Sequence, residues 1–318
     1  MSAAHAPLLV ALTGPTGSGK SAWALELADW LGARLPVEII SVDSAQVYRG
    51  MDIGTAKPAP AVRARVRHHL IDIREPIEGF SAGDFVREAR QAIGAIQARG
   101  ALPLLVGGTM LYLRALRQGM APMPMASPAV RQEIDALAAA HGWAAVHAEL
   151  ERVDPTAAAR IAPRDVQRLQ RALEVFRLTG VPLTQWHAQG GERATPYRWR
   201  CYALWPDTRA RLRERLQWRF DAMLRAGLID EVRALQARGD LTAAHPAMRA
   251  VGYRQLWPYC AGETGLTEAR ERAVIATAQL AKRQMTWLRR EPDMTPLGDI
   301  SVGALESLGA EILALLHA

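Results

Sequence analysis

One stretch near the N-terminus decides the fold: Gly14-Pro15-Thr16-Gly17-Ser18-Gly19-Lys20-Ser21. It satisfies the pattern G-x-x-x-x-G-K-[ST], follows the apolar run Leu8–Thr13 and precedes a helical periodicity over Ser21–Leu31. In that context the glycines let successive backbone N–H groups and the helix N-terminus face an anion. The stretch, called the P-loop below, therefore predicts a site for a diphosphate or triphosphate but does not say which reaction it serves.

The segments after the P-loop alternate between strand and helix patterns. A helix is expected from Ser81 to Arg99, because Ser81 and Asp84 have capping-box spacing, and another helix from Thr109. Further strands are predicted at Val37–Ser41, Leu70–Ile73 and Leu102–Val106. This alternation predicts an α/β fold of the P-loop NTPase-like kind, a parallel sheet flanked by helices.

The pattern changes after Gln118. Residues 120–128 are rich in Met and Pro and are typical of a linker, and the segments from there to about Gly191 are helical in pattern. A strand at Tyr197–Leu204 and Arg-rich helices from Thr208 follow. We therefore expect an α/β core made of residues 1–120 and 198–318, with an all-helical insertion domain at 121–197.

Composition narrows the partners and the compartment. The net charge of +7 favours a polyanionic partner. There is no apolar run long enough to cross a bilayer and no basic-then-apolar leader, so neither a membrane protein nor a secreted one is expected. The two cysteines, Cys201 and Cys260, fit no metal or redox spacing, which indicates a reduced, cytoplasmic protein.

Asp43 is the first candidate for chemistry outside the P-loop. It follows the second predicted strand, and the carboxyl ends of parallel strands border the ligand crevice of such sheets. A carboxylate there can hold a metal or act as a general base. From its position alone, an Asx-type turn or a helix cap is an equal alternative.

Seven blocks of sequence, in this order, resemble the tRNA dimethylallyltransferase family. The resemblance spans roughly residues 8 to 290 and is to the bacterial form, because the zinc-finger extension of eukaryotic relatives has no counterpart here. The blocks are Thr13–Ser21, Asp43–Tyr48, Gly54–Lys57, Val106–Tyr112, Gln167–Arg171, Arg249–Arg254 and Lys282–Arg289.

The resemblance implies a reaction and a set of site residues. The family joins dimethylallyl diphosphate to N6 of the adenosine 3′ of the anticodon (adenosine 37) of tRNA and releases diphosphate. It implies that Asp43 is the general base, that Thr16 and Arg219 assist the leaving diphosphate, and that Ser21 holds Mg²⁺. The residues implied to bind the diphosphate are Gly14, Pro15, Thr16, Gly17, Ser18, Gly19, Lys20 and Ser21. For Arg219, a solvated place on its helix is an equal alternative.

The resemblance also implies which residues contact the anticodon stem-loop. Without it, the basic edge of the helix at Asp165–Thr179 fits a solvated helix face better than an RNA contact. The basic segment around Trp287 fits an amphipathic helix with one buried Trp as well as it fits an RNA contact. The implied tRNA-binding residues are Asp43, Ser44, Ala45, Gln46, Thr109, Arg131, Gln167, Arg168, Leu169, Gln170, Arg171, Arg249, Ala250, Val251, Gly252, Tyr253, Arg254, Lys282, Arg283, Gln284, Met285, Thr286, Trp287, Leu288 and Arg289.

Two other function classes compete with a monomeric tRNA-modifying transferase. A P-loop kinase of a small metabolite would explain residues 8–118 nearly as well, with Asp43 orienting an acceptor hydroxyl. A kinase function would not explain the basic insertion or the basic C-terminal segments. A nucleotide-gated RNA-binding protein would use Asp43 only to coordinate a metal.

Overall fold

The computed structural model describes residues 6–32, 34–190, 197–206, 208–291, 293–298 and 300–317. The chain divides into two compact units, one made of Met1–Arg114 and Pro196–Ala318 and the other of Ala115–Thr195. The first division falls inside a helix and the second just before a strand. The site described below lies wholly in the first unit.

A parallel sheet forms the centre of the first unit. In the described residues it has six strands, in the order β3-β2-β4-β1-β5-β6, and each strand runs parallel to its neighbours. The strands are β1 (Leu8–Thr13), β2 (Val37–Val42), β3 (His68–His69), β4 (Leu102–Gly107), β5 (Arg198–Leu204) and β6 (Met294–Leu297). Every residue of β1 and β4 is buried, as expected where helices cover both faces of a sheet. The predicted α/β fold is confirmed.

Helices of the first unit pack on this sheet and on one another. They are α1 (Lys20–Gly32), α2 (Pro60–Arg65), α3 (Ala82–Ala98), α4 (Met110–Gln118, which runs into the second unit), α9 (Arg209–Arg225), α10 (Leu228–Ala237), α11 (Tyr253–Cys260), α12 (Leu266–Leu288) and α13 (Val302–His317). The predicted capping box of α3 is present, because the Ser81 hydroxyl accepts from Asp84 N and the Asp84 carboxylate accepts from Ser81 N. Leu305, Leu308 and Ile312 of α13 join the core beneath α1.

Helices make up the described elements of the second unit. They are α5 (Pro128–Val153), α6 (Pro155–Ala158), α7 (Val166–Thr179) and α8 (Leu183–Ala188). As predicted, Asp165 caps α7 by accepting from Arg168 N, and Gly180 ends it in the left-handed conformation. Leu169 and Leu173 are fully buried in the unit's own core.

Two details of the sheet differ from the sequence-based expectation. The strand predicted at Leu70–Ile73 is wrong, since β3 is only His68–His69. Leu70 and Asp72 adopt φ values of 63° and 57°, which leave the extended region and end the pairing. The edge strand β6 was not predicted.

The order of the strands brings three loops together. Thr13 at the end of β1 pairs with Gly107 at the end of β4, and Gly107 also pairs with Val42 at the end of β2. The P-loop, the turn that begins at Asp43 and the segment that begins at Gly108 therefore leave the sheet side by side. Sequence distance alone would not place them together.

No helix in the described part of the chain is both long enough and apolar enough to cross a bilayer. Cys201 is buried and Cys260 is half-buried, and both are thiols.

Candidate active site

The P-loop is held in a tight curve between β1 and α1. Ser18 N donates to Pro15 O at 3.1 Å, and Trp23 N donates to Gly19 O at 3.1 Å as α1 begins. Gly17 has a φ of 79°, and a Cβ there would lie 2.9 Å from Leu216 Cδ2. The loop therefore depends on glycine for its conformation and for its packing against α9.

The Ser18 hydroxyl of the loop lacks a hydrogen-bond partner among the described residues. Its oxygen is buried. A buried hydroxyl without a partner is costly. A phosphate oxygen lying in the loop would satisfy it.

Two cations face the same cleft as the P-loop. Burial lowers the pKa of Lys20 to about 8, since attraction to Asp43 only partly offsets the loss of water and Arg219 adds repulsion. Burial also lowers the pKa of Arg219, again partly offset by Asp43. Arg219 lines the cleft, whereas Arg213 and Arg215 on the same helix are exposed. Two desolvated cations beside one carboxylate make a site that favours a multivalent anion.

Asp43 lies across the cleft at the start of the Asp43 turn, which is Asp43–Gln46. Its Oδ1 accepts from Ala45 N at 2.8 Å and from Gln46 N at 3.3 Å. Among the described residues, no donor contacts Oδ2. Asp43 therefore forms an Asx-type turn and also lines the cleft, so the two alternatives offered by the sequence are compatible. The turn fixes the orientation of the carboxylate, and Oδ2 can accept a proton.

The side chains around the Asp43 turn are held by hydrogen bonds. Ser44 N donates to Thr109 Oγ1 at 3.2 Å. The Gln46 amide accepts from Ser41 Oγ at 2.9 Å and donates to Thr55 O at 3.3 Å. These contacts preorganise a polar wall beside Asp43.

The P-loop and the Asp43 turn line one cleft of about 690 Å³. Its apolar walls were not anticipated from the sequence, because their residues come from helices far apart in the chain. They include Leu111, Leu216, Phe220, Met223 and Leu280. The same cleft therefore contains an anion site, a carboxylate and an apolar surface.

Ion pairs and hydrogen bonds fix the loop at residues 52–57. Lys57 is 1% exposed and its ammonium pairs with Asp52 and with Asp72, the latter at 2.6 Å. Glu231 accepts from three successive backbone amides, those of Asp52, Ile53 and Gly54. The Gly54–Lys57 block of the sequence is thus a structural support for the turn that holds Gln46.

Six members of the C-terminal blocks line the cleft, namely Arg249, Ala250, Val251, Arg283, Gln284 and Trp287. The other members lie at the surface or in the core. Arg254, Lys282, Arg283, Thr286, Trp287 and Arg289 are exposed. Tyr253, Met285 and Leu288 are buried, as is Gly252, and the Tyr253 hydroxyl donates to Glu231 at 2.5 Å. Packing therefore takes these residues into the core, and their assignment to the tRNA-binding set stays a prediction. Gln284 points at the P-loop.

In the second unit, Arg131 and Arg171 converge on Glu174 at 2.8 Å and 2.7 Å. Burial would raise the pKa of Glu174, but hydrogen bonds from Arg131 and Arg171 outweigh it and the pKa is lowered. Gln170 donates to Asp135 at 2.7 Å. These partners engage the side chains within the unit.

The exposed edge of α7 is formed by other residues. Gln167 is exposed, and the side chain of Arg168 is 71% exposed with a 3.3 Å contact to Asp165. Leu169 is fully buried, so its side chain offers no contact surface.

The oxygen ligands of the cleft fit a magnesium ion. No cluster of three or more His, Cys, Asp or Glu side chains that could hold a metal occurs among the residues described. Ser21 and Asp43 do line the cleft together. Mg²⁺ takes one or two protein oxygens and completes its shell with water and phosphate oxygens, so the Ser21 hydroxyl would be a sufficient protein ligand if a diphosphate occupied the loop.

Comparison with known proteins points to one family. The sequence model of IPP transferases matches residues 46–291. The tRNA dimethylallyltransferase of Acidovorax sp. (strain JS42) is 57% identical over 295 residues, which cover 92% of this chain and 91% of the relative. That of Bordetella petrii is 52% identical over 312 residues, with coverages of 96% and 98%.

A solved structure gives the same result. The tRNA isopentenylpyrophosphate transferase from Bacillus halodurans superposes with a TM-score of 0.70 and is 37% identical. The match covers 98% of this chain and 97% of that one. The similarity therefore includes the sheet, the P-loop and the C-terminal helices.

Proposed function

The chain belongs to the IPP transferase family, and from that premise we propose how it transfers a dimethylallyl group from dimethylallyl diphosphate to N6 of adenosine 37 in tRNA. The observation that carries the proposal is the placement of an anion-binding P-loop and Asp43 in one cleft with apolar walls. In the reaction the C1–O bond of the donor breaks, the N6–C1 bond forms, and diphosphate leaves. The N6 proton goes to Asp43.

The P-loop end of the cleft would stabilise the leaving group. Negative charge grows on the diphosphate as the C1–O bond lengthens, so groups aimed at it act most strongly in the transition state. Lys20, Arg219, the loop amides and the Thr16 hydroxyl are the groups available. Because Lys20 and Arg219 are already desolvated, little solvent must be displaced when the charge develops.

Magnesium would add to this effect. We propose that Ser21 holds Mg²⁺ together with diphosphate oxygens. When bound, the ion supplies positive charge that stabilises the departing diphosphate.

The Asp43 end would activate the nucleophile. An exocyclic aromatic amine is weakly nucleophilic until it loses a proton, and Asp43 Oδ2 is the base positioned for it. Such a base contributes roughly 10²- to 10⁴-fold in rate. Hydrogen bonds fix Gln46 and Thr109 beside Asp43, and we expect both to contact the edge of an adenine that has flipped out of the anticodon loop.

The surface outside the cleft supports an RNA substrate. Lys282, Arg283, Thr286 and Trp287 line a shallow groove of about 330 Å³, and Arg283 and Trp287 also line the cleft. Basic side chains suit the phosphate backbone, and an exposed indole suits base stacking. We propose that the anticodon stem-loop binds along this groove, that Arg168 of the second unit is a further tRNA contact, and that the enzyme acts as a monomer in the cytoplasm.

Product formation tests the proposal. The protein would be incubated with Mg²⁺, radiolabelled dimethylallyl diphosphate and an anticodon stem-loop carrying adenine at position 37. Label recovered as isopentenyladenosine, and absent when guanine replaces that adenine, supports the transfer. Consumption of ATP with a small acceptor, and no labelled nucleoside, would instead favour the kinase alternative.

A further inference from the structure

Gln284 lies in the basic segment of α12 but faces away from the solvent groove. Its Oε1 accepts from Thr16 N at 2.8 Å, and its Nε2 donates to Gly108 O at 2.9 Å. Its neighbour Arg283 is exposed, whereas the Gln284 side chain is half-buried. One side-chain amide thus joins the P-loop to the segment that follows β4.

Both partners of Gln284 belong to the reacting cleft. Thr16 lies in the middle of the P-loop. Gly108 directly precedes Thr109, whose hydroxyl accepts from Ser44 N in the Asp43 turn. Gln284 is therefore the middle of a path of contacts from the diphosphate end of the cleft to the turn that carries Asp43.

The surroundings of Gln284 are specific for an amide. A Cβ on residue 108 would lie 2.3 Å from Gln284 Nε2 and 3.2 Å from Gly14 O, so the approach requires glycine. A glutamate at 284 would keep an acceptor for Thr16 N but set a second oxygen against the Gly108 carbonyl. A lysine would offer no acceptor. Only a side chain with one donor and one acceptor satisfies both backbone groups.

We propose that Gln284 is a positioning residue for the transfer, setting the P-loop relative to the Asp43 turn instead of contacting RNA. This role rests on the proposed function, since it matters only if the P-loop holds the donor. It predicts that losing the amide weakens use of the donor while leaving RNA affinity intact. Lys282, exposed on the same helix, should behave in the opposite way.

The test compares Gln284→Met, Gln284→Glu and Lys282→Ala, with Gln91→Met on the exposed face of α3 as the matched control. Donor affinity and stem-loop affinity are measured separately by equilibrium binding, and the transfer rate by single turnover. Leaving two backbone groups without partners should reduce kcat/KM for dimethylallyl diphosphate by about 10- to 100-fold in Gln284→Met. Gln284→Glu should be impaired even though it can still accept from Thr16 N, and Gln91→Met should match wild type.

The stem-loop Kd separates the two roles of this helix. The proposal expects it to stay within about twofold in Gln284→Met and to rise in Lys282→Ala. A raised stem-loop Kd with normal donor kinetics in Gln284→Met would make Gln284 an RNA contact. A lowered melting temperature with normal donor kinetics would make it merely structural, and either result overturns the proposal. Wild-type protein that did not bind the donor would overturn the proposed function as well.

Discussion

Replacing Lys20 with methionine should stabilise the fold while abolishing transfer. The pKa of this lysine falls from 10.5 to about 8, chiefly because burial removes water from the ammonium. Such a drop corresponds to about 3 kcal/mol of unfavourable free energy for keeping the group charged in the fold. Methionine has a similar length and carries no charge, so Lys20→Met should gain up to about 3 kcal/mol of unfolding free energy near neutral pH, reduced by whatever relaxation the cleft allows.

The pH dependence of this gain has a defined sign. Below pH 8 the lysine is protonated in both the folded and unfolded chains, so the folded chain bears the whole cost and the variant's advantage is complete. Between pH 8 and 10.5 the folded chain gives up the proton while the unfolded chain keeps it. The advantage should therefore shrink across that window and vanish above it.

The effect is measured by urea unfolding of substrate-free wild type and Lys20→Met across this pH range. The difference between their unfolding midpoints gives the change in the free energy of unfolding. Lys282→Met serves as the control, because Lys282 is exposed and its loss should leave stability unchanged. A variant that is less stable than wild type near neutral pH would refute the reasoning. So would a gain that stays constant through pH 8 to 10.5.

Three other predictions follow from the contacts. Arg168→Ala removes a guanidinium whose side chain is 71% exposed, so it should weaken stem-loop binding. The slope of log Kd against log salt concentration should decrease by about one, and an unchanged slope would exclude a phosphate contact. Arg171→Met should lower the unfolding free energy by about 1–3 kcal/mol, since fully buried Glu174 loses a donor, and denaturant titration would detect it. Gly17→Ala should eliminate measurable donor binding by calorimetry, because its φ of 79° and the contact with Leu216 both oppose a Cβ; normal binding would show that the loop adapts.

Local signals in the sequence were sufficient for much of the fold. The glycines and Lys20 of the P-loop, the Ser81–Asp84 capping box and the Asp165 cap each depend on residues close together in the chain. Patterns of this kind give the element and its boundary at once. The alternation of elements then gave the parallel sheet.

Features set by distant contacts could not be predicted in this way. The apolar run after His69 reads as a strand, but positive φ values at Leu70 and Asp72 turn the chain out of the sheet. The edge strand β6 is short and contains Pro296, so it carries little strand signal.

The candidate active site likewise combines features that the sequence predicts with features that depend on contacts between distant residues. Asp43 could be placed near the P-loop because strand ends share an edge. The orientation of Gln284 could not, since basic neighbours on α12 suggest a surface helix and only packing shows which side faces the P-loop. The role of Glu231 beneath residues 52–54 likewise depends on a contact across the fold.

The measurement that tests the central claim most directly is a single-turnover transfer reaction with Asp43→Asn. Asparagine can still accept from Ala45 N, so the Asp43 turn should be retained, but it cannot take the N6 proton. With donor and stem-loop bound at saturation, we expect the rate of isopentenyladenosine formation to fall by roughly 10²- to 10⁴-fold. The Kd of each substrate should stay within a few-fold of wild type. A rate close to wild type, or a loss explained entirely by weaker binding, would contradict the assignment of Asp43 as the base.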